Sequence, residues 1–216
     1  MKISKSKLII SSLLTLLPMF FGLALWNKLP NSIPFHWNMA GEVDGYASRG
    51  TAVFLAPIFI LAVHLLCIFA TKLDKGNRDQ NEKVFALIYY ITPAISIVAH
   101  GFVYAAAFGY GIDVTAVMGI MFGIILIAIG NYMPKAKQNH TIGIKIPWTL
   151  RSEANWNATH RLAGRLWFAS GFVVLAAAFL PNGIGMWVLL GLSLVVTVVP
   201  TLYSYLFYKK EKSDSE

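Results

Sequence analysis

Long apolar runs separated by short polar breaks dominate the chain, and their lengths predict a helical membrane protein. Six runs are long or apolar enough to cross a bilayer: Leu8–Trp26, Thr51–Ala70, Val84–Phe108, Val114–Met133, Leu166–Leu180 and Ile184–Tyr208. A hydrocarbon core of about 30 Å takes about 20 helical residues, and all but the fifth run reach or approach that length. The fifth becomes intelligible with the polar residues before it. Ser152 is placed as an N-cap, with Glu153 against the positive helix end. From there Trp156, His160 and Gly164 recur every four residues on one face, with Arg161 and Arg165 on another. The pattern predicts one helix from near Glu153, running along the membrane surface and then into the fifth span, with both arginines reaching lipid phosphates.

The breaks differ in character. Asn27–Gly50 is long and punctuated by Pro30, Pro34, Gly41, Gly45 and Gly50, which predicts a turn-rich loop. Thr71–Lys83 is a short charged connection. Gly109–Asp113 and Pro181–Gly183 read as tight turns, so spans three and four, and five and six, should pack as antiparallel hairpins. Residues 131–165 form the one large polar insert. The charged tail from Lys209 reads as disordered. In the fourth run Gly119 and Gly123 are spaced G-x-x-x-G, with Gly130 a heptad further on, which predicts close helix packing inside the chain. There is no internal repeat, which counts against an inverted-repeat transporter.

Composition and charge turn this pattern into a topology. At 56% hydrophobic and 13% charged residues, the chain is too apolar for an ordinary soluble domain. With the amino terminus cytoplasmic, every Lys and Arg except Lys28 and Arg49 falls on the inner side. The positive-inside bias therefore predicts six spans, both termini cytoplasmic, Asn27–Gly50 outside and the insert inside. It also accounts for the net charge of +8 without direct nucleic-acid binding. The basic amino terminus and first run read as an uncleaved helix, since no small-residue cleavage site follows. The single cysteine, Cys67, excludes an intramolecular disulfide and reads as a packing residue.

Candidate chemistry is sparse. No Asp, Glu, Lys or Arg falls inside a run, and His64 and His100 sit at different depths. They read as hydrogen-bonded within the bundle, with a polar pathway as the alternative. His36, Glu42 and Asp44 outside, and His140, Glu153 and His160 inside, are ligand types without a metal-binding spacing, so neither metal nor cofactor is expected. No nucleophile elbow, zinc-protease motif or phosphate loop is present, and the chain does not read as an enzyme.

Two segments together resemble a known family. The outer loop carries Leu-Pro, Ile-Pro and His-Trp-Asn steps, then Gly41 and Asp44–Gly45. The insert carries Asn131, Asn139, Gly143, Pro147, Trp148, Thr149, Trp156, Thr159, His160, Arg161 and Gly164 in a long, specific pattern. Both resemble the bacterial SdpI family. Lys145 stands where that pattern usually has Arg, which keeps the charge but loses the planar fork. The resemblance implies an all-α integral membrane protein with an N-terminal two-helix module (1–71) and a four-helix module (72–216). It further implies an immunity protein against a secreted, membrane-active peptide toxin, which also senses the toxin and captures a cognate cytoplasmic repressor.

On that reading His36, Trp37, Asn38, Gly41, Asp44 and Gly45 meet the peptide outside. The insert, with six basic residues against Glu153, meets a protein partner through Trp148 and Trp156, or anionic lipid headgroups. Asn131 and Gly143 read as structural, and both readings stand open for Trp156 and His160. Two rivals remain at this point: a small transporter or channel using His64 and His100, and a metalloenzyme using either loose ligand set.

Overall fold

Four polar side chains start the long helices. Ser4 accepts the Lys7 N–H ahead of α1 (Lys5–Ala24), and Asn81 accepts the Lys83 N–H ahead of α3 (Glu82–Ala107). Asp113 accepts the Thr115 and Ala116 N–H groups ahead of α4 (Val114–Tyr132), and Ser152 accepts the Asn155 N–H ahead of α6 (Glu153–Ala177). Each satisfies donors that a helix start leaves free. In this computed structural model, which describes residues 4–181 and 184–214, the remaining helices are α2 (Ala56–Leu73), the single-turn α5 (Pro147–Arg151) and α7 (Ile184–Ser213). A π-wound turn, Thr51–Leu55, leads into α2.

Five helices among the described residues are long and apolar enough to cross a membrane: α1, Thr51–Leu73, α3, Val114–Lys135 and α7. The helix α6 differs because its first half carries Glu153, Arg161 and Arg165 and only the part from Leu166 onward is continuously apolar. Its start at Glu153, its Ser152 cap and its unbroken course into the fifth run agree with the sequence pattern.

Two expectations are corrected. The fold is mostly helical but not all-α, because the Asn27–Gly50 segment contains an antiparallel hairpin, β1 (Ser32–Trp37) with β2 (Val43–Ser48). Its β-branched and aromatic residues alternate with polar ones, a signal that the density of Pro and Gly obscured. The tail from Lys209 is helical to Ser213, as a continuation of α7. Spans three and four are joined by a short turn and touch, and α6 packs along α7, as expected; the main partner of α3 is α1 and that of α4 is α6. Asn182 and Gly183 of the predicted Pro181–Gly183 turn lie outside the described residues.

The choice of partners follows from what each helix buries. Between α4 and α6 the contact is small-residue packing. A Cβ on Gly130 would lie 2.5 Å from the Phe168 nitrogen and 2.8 Å from the Gly164 oxygen, and one on Gly119 would lie 2.7 Å from Ala178 Cβ. Gly123 and Gly171 pass equally close, so the G-x-x-x-G spacing works inside the chain, as predicted.

Between α1 and α3 the contact is a buried polar seam. Ser96 donates to Thr15 O (2.8 Å), Tyr104 donates to Pro18 O (3.0 Å), and Thr15 donates to Ser11 O (2.8 Å). His64 of α2 joins the seam through Ser11 Oγ (2.9 Å), and His100 is bonded to Ser96 O (2.9 Å). Both histidines are therefore held within the bundle, and most links of the seam end on backbone carbonyls, which cannot pass a proton onward. The outer surfaces of the same helices carry exposed Leu, Ile and Phe, such as Phe21, Phe59, Leu66 and Ile97. A polar interior under an apolar exterior is the arrangement of a protein solvated by lipid.

Gly130→Ala should destabilise the fold by about 1–3 kcal/mol, because a backbone atom blocks the new methyl group. Gly101→Ala, inside α3 where nothing lies within 4 Å, should instead be neutral or stabilise by up to about 1 kcal/mol. Unfolding of both purified variants in the same detergent checks the contrast.

Candidate functional site

The β1–β2 hairpin is built by the residues that its motif contains. Asn38 holds the turn, its Oδ1 accepting the Ala40 (2.9 Å) and Glu42 (3.0 Å) N–H groups while its Nδ2 donates to the Glu42 carboxylate (3.1 Å). Gly41 takes φ +83°, a left-handed conformation that favours glycine, and rests against Val114 and Thr115 at the start of α4. Gly45 faces His36 across the strands, where a Cβ would lie 2.9 Å from His36 Cβ. That close approach lets His36 Nδ1 reach Asp44 Oδ1 at 2.5 Å on the exposed face. On the other face Ile33 is fully buried with Leu29, Val53 and Tyr104, and Trp37 packs on Phe102 with ring centroids 4.7 Å apart. At the hairpin base Arg49 donates to Asn31 Oδ1 (2.6 Å) and lies over the Trp26 ring. Beneath β1, between α2, α3 and α4, runs an apolar cleft of about 470 Å³.

The insert between α4 and α6 is organised around Trp156, which is fully buried. Its indole N–H donates to Ala136 O (2.7 Å), and its ring stacks on His160 with centroids 3.9 Å apart and planes 18° apart. His160 Nδ1 donates to Trp156 O (2.8 Å), since a carbonyl can only accept, and this leaves Nε2 to accept the Ile144 N–H (3.0 Å). Burial pushes the His160 pKa down to about 4, so the ring is neutral at pH 7. Gly143, at φ +104°, passes so close that a Cβ would overlap His160 Nε2. The sequence left Trp156 and His160 open between binding and structure, and their contacts here are structural. Thr149 donates to Ile144 O (2.7 Å) and accepts the Ile146 N–H (3.1 Å), closing the turn that Pro147 starts. Thr159 donates to Asn155 Oδ1, which also takes the Ser204 hydroxyl at 2.6 Å and ties α6 to α7. Gly164 packs against Pro134 and Gly130.

A second support was missed in the sequence. Asn139 is buried, its Oδ1 accepting the Thr141 and Ile142 N–H groups and its Nδ2 donating to Lys137 O and Ile142 O. The loop so formed is bound to the α2–α3 connection. Asp74 accepts the His140 N–H (2.7 Å) and the Thr141 hydroxyl (3.0 Å). Gln80 pairs with Lys137 in both directions, and Asn77 donates to Thr141 Oγ1 (2.7 Å). Burial by itself would raise the Asp74 pKa, but N–H groups of Gly76 and His140 and the Thr141 hydroxyl hold it below the usual carboxylate range. The signal was present as Asp74, Asn77 and Gln80 at every third position of a short connection, read only as charge.

The remaining motif residues face outward. Asn131 is exposed on the last turn of α4, where the sequence had suggested an amide satisfying broken backbone. Lys145 is exposed and donates to Thr141 O (2.9 Å). Trp148 is half-buried against Tyr205, and Arg161 and Arg165 are exposed beside Tyr203. The two loose ligand sets are not assembled: Glu42 turns to Asn38, and His140 faces Asp74 rather than His160. No group of three or more His, Cys, Asp or Glu positioned for a metal exists among the described residues.

Apolar-coated helices carrying one polar hairpin and one knotted insert define a membrane protein with two polar modules. Residues 135–204 match the SdpI/YfhL protein family, and residues 13–61 match a domain of unknown function, DUF1648. It is similar to the immunity protein SdpI of Bacillus subtilis (strain 168), with 28% identity over 208 residues, 94% of this chain and 97% of that protein. No solved structure matches it.

The insert should loosen in acid. His160 is neutral when folded and takes up a proton when unfolded, so its contribution is full above about pH 6.5 and is lost as pH falls towards about 4, by about 3 kcal/mol at most. A falling protection factor at the Ile144 amide across that window, with the intrinsic pH dependence of exchange divided out, and a constant one between pH 7 and 8, checks this. Asn139→Ala should cost about 1–3 kcal/mol, because it leaves buried N–H and C=O groups of residues 137–142 without partners. A lowered melting temperature with unchanged helix content in circular dichroism would be the result.

Proposed function

We infer that this is a multi-pass cell-membrane immunity protein with six spans, the apolar half of α6 being the sixth, and with both termini cytoplasmic. It protects against a secreted, membrane-active peptide toxin met at the outer hairpin, and it signals toxin by sequestering a cytoplasmic transcriptional repressor at the insert. The observation that carries this reading is the end-to-end similarity to an immunity protein, which covers the hairpin and the insert alike. The side assignment is supported by the confinement of Lys and Arg, other than Lys28 and Arg49, to one set of loops.

The outer hairpin suits a toxin-binding role because its exposed face displays His36, Asp44 and Tyr46 while its other face is locked to α3, so contact needs little ordering. At the insert, Lys145, Trp148, Arg161 and Arg165 remain outward and suit an acidic partner surface. Anionic lipid headgroups are the second partner of this side. His140 and Lys145 stand at an apolar cleft of about 580 Å³ between α2, α3, α4 and the insert, the chemistry of an acyl chain below a phosphate.

Expression in a toxin-sensitive bacterium should raise survival under an SdpI-cognate peptide toxin by at least about tenfold over the empty-vector strain. Asp44→Asn should reduce this protection at equal membrane levels, whereas Lys145→Glu should leave it intact and abolish only capture of the repressor. No protection by the intact protein would defeat the reading.

A further inference from the structure

We propose that the cleft beneath the hairpin seats an apolar segment of a cationic peptide, held by one side-chain hydrogen-bond donor on His100 Nε2; this rests on the toxin-binding reading and locates its site. Three buried side-chain polar atoms among the described residues have no hydrogen-bond partner: His64 Nδ1, Tyr89 Oη and His100 Nε2. His100, only 3% exposed, is the one of these residues that lines the cleft. Its Nδ1 carries the proton, because it is bonded to the Ser96 carbonyl, so Nε2 presents a bare lone pair. An unpaired acceptor in an apolar wall is costly, and a ligand that brings a hydroxyl or N–H to it gains what the empty site lacks.

The rest of the cleft narrows the occupant. Its volume of about 470 Å³ suits one or two large side chains, and Phe35, Phe59, Met118, Met121 and Met186 line it. Unbranched methionines adapt to varied apolar shapes. Lipid acyl chains would fit the wall but carry no donor for His100. The rim is acidic: seating Gly41 on Val114 and Thr115 brings Glu42 and Asp44 to the same end as Asp113. The basic residues of this side, Lys28 and Arg49, lie near Trp26 at the hairpin base. An apolar peptide with a basic residue beside its buried segment complements both features.

The test uses the full chain in phosphatidylethanolamine/phosphatidylglycerol nanodiscs. The probes are a short fluorescent leucine-rich peptide with terminal lysines and one central tyrosine, and its Tyr→Phe twin, with empty nanodiscs as baseline. The intact protein should bind the tyrosine peptide about tenfold more tightly than the twin, the worth of one buried hydrogen bond. His100→Phe should erase that preference, and Met121→Trp, which fills the cleft and leaves His100 in place, should weaken both peptides about tenfold or more.

Equal binding of the two peptides by the intact protein, as a bound water or lipid on His100 would produce, overturns the proposal. So does full binding by Met121→Trp. Survival under the toxin separates this from the broader reading. Protection by Met121→Trp equal to that of the intact protein removes the cleft and keeps immunity. No protection by the intact protein, with the tyrosine preference present, removes immunity and keeps the peptide seat.

Discussion

The close approach of α4 and α6 is the contact on which the rest of this protein depends. Both helices are coated with apolar side chains where they face outward, so lipid solvates them as well as protein would, and burial of apolar area gives little reason to associate. What remains is shape. Gly119, Gly123 and Gly130 on α4 meet Ala178 at the C-terminal end of α6, and Gly171 and Gly164 within it, at distances that admit no further carbon. One intruding methyl costs about 1–3 kcal/mol, whereas a hydrogen bond between membrane helices contributes about 0.6 kcal/mol, so glycine spacing constrains this pair more tightly than any single polar contact.

That contact also sets the geometry of the insert, which leaves the end of α4 and returns at the start of α6. With Pro134 seated on Gly164, Ala136 O lies within reach of the Trp156 indole, and the stacked His160 ring takes the Ile144 N–H. A neutral imidazole is required there, since a protonated one could not accept that hydrogen. The same insert is anchored a second time by Asp74, Asn77 and Gln80, which reach it from the connection between α2 and α3. Its rigid interior leaves Lys145, Trp148, Arg161 and Arg165 outward, free of structural duty in the Trp156 core.

At the other end, the hairpin combines the same two roles. Asn38, Gly41 and Gly45 shape the turn and strands, Ile33 and Trp37 lock it to α3, and His36 with Asp44 occupies the exposed face. Fixing the hairpin in this way leaves the methionine-lined cleft below it, into which the His100 side of α3 is turned. The polar seam of α1 and α3 determines that orientation, through Ser96, His100 and Tyr104 at every fourth position.

Helix positions, the Ser152 cap, the glycine packing face and the one-sided distribution of basic residues were legible in the sequence, because periodicity, capping and charge are local properties of the chain. The motif residues were legible as well, but not their duties. Whether Trp156 and His160 bind a partner or hold the insert turns on Ala136 O and the Ile144 N–H, positions that only the folded chain brings near. The hairpin was hidden for a related reason: Pro and Gly mark turns wherever they stand, and cross-strand pairing is not written in either strand alone. The sequence by itself determined a membrane helix bundle with two polar modules, since hydropathy and spacing act residue by residue. Only the tertiary structure decided which polar side chains are spent on internal hydrogen bonds and which remain to meet a ligand, because satisfying a buried polar group depends on partners distant in the chain.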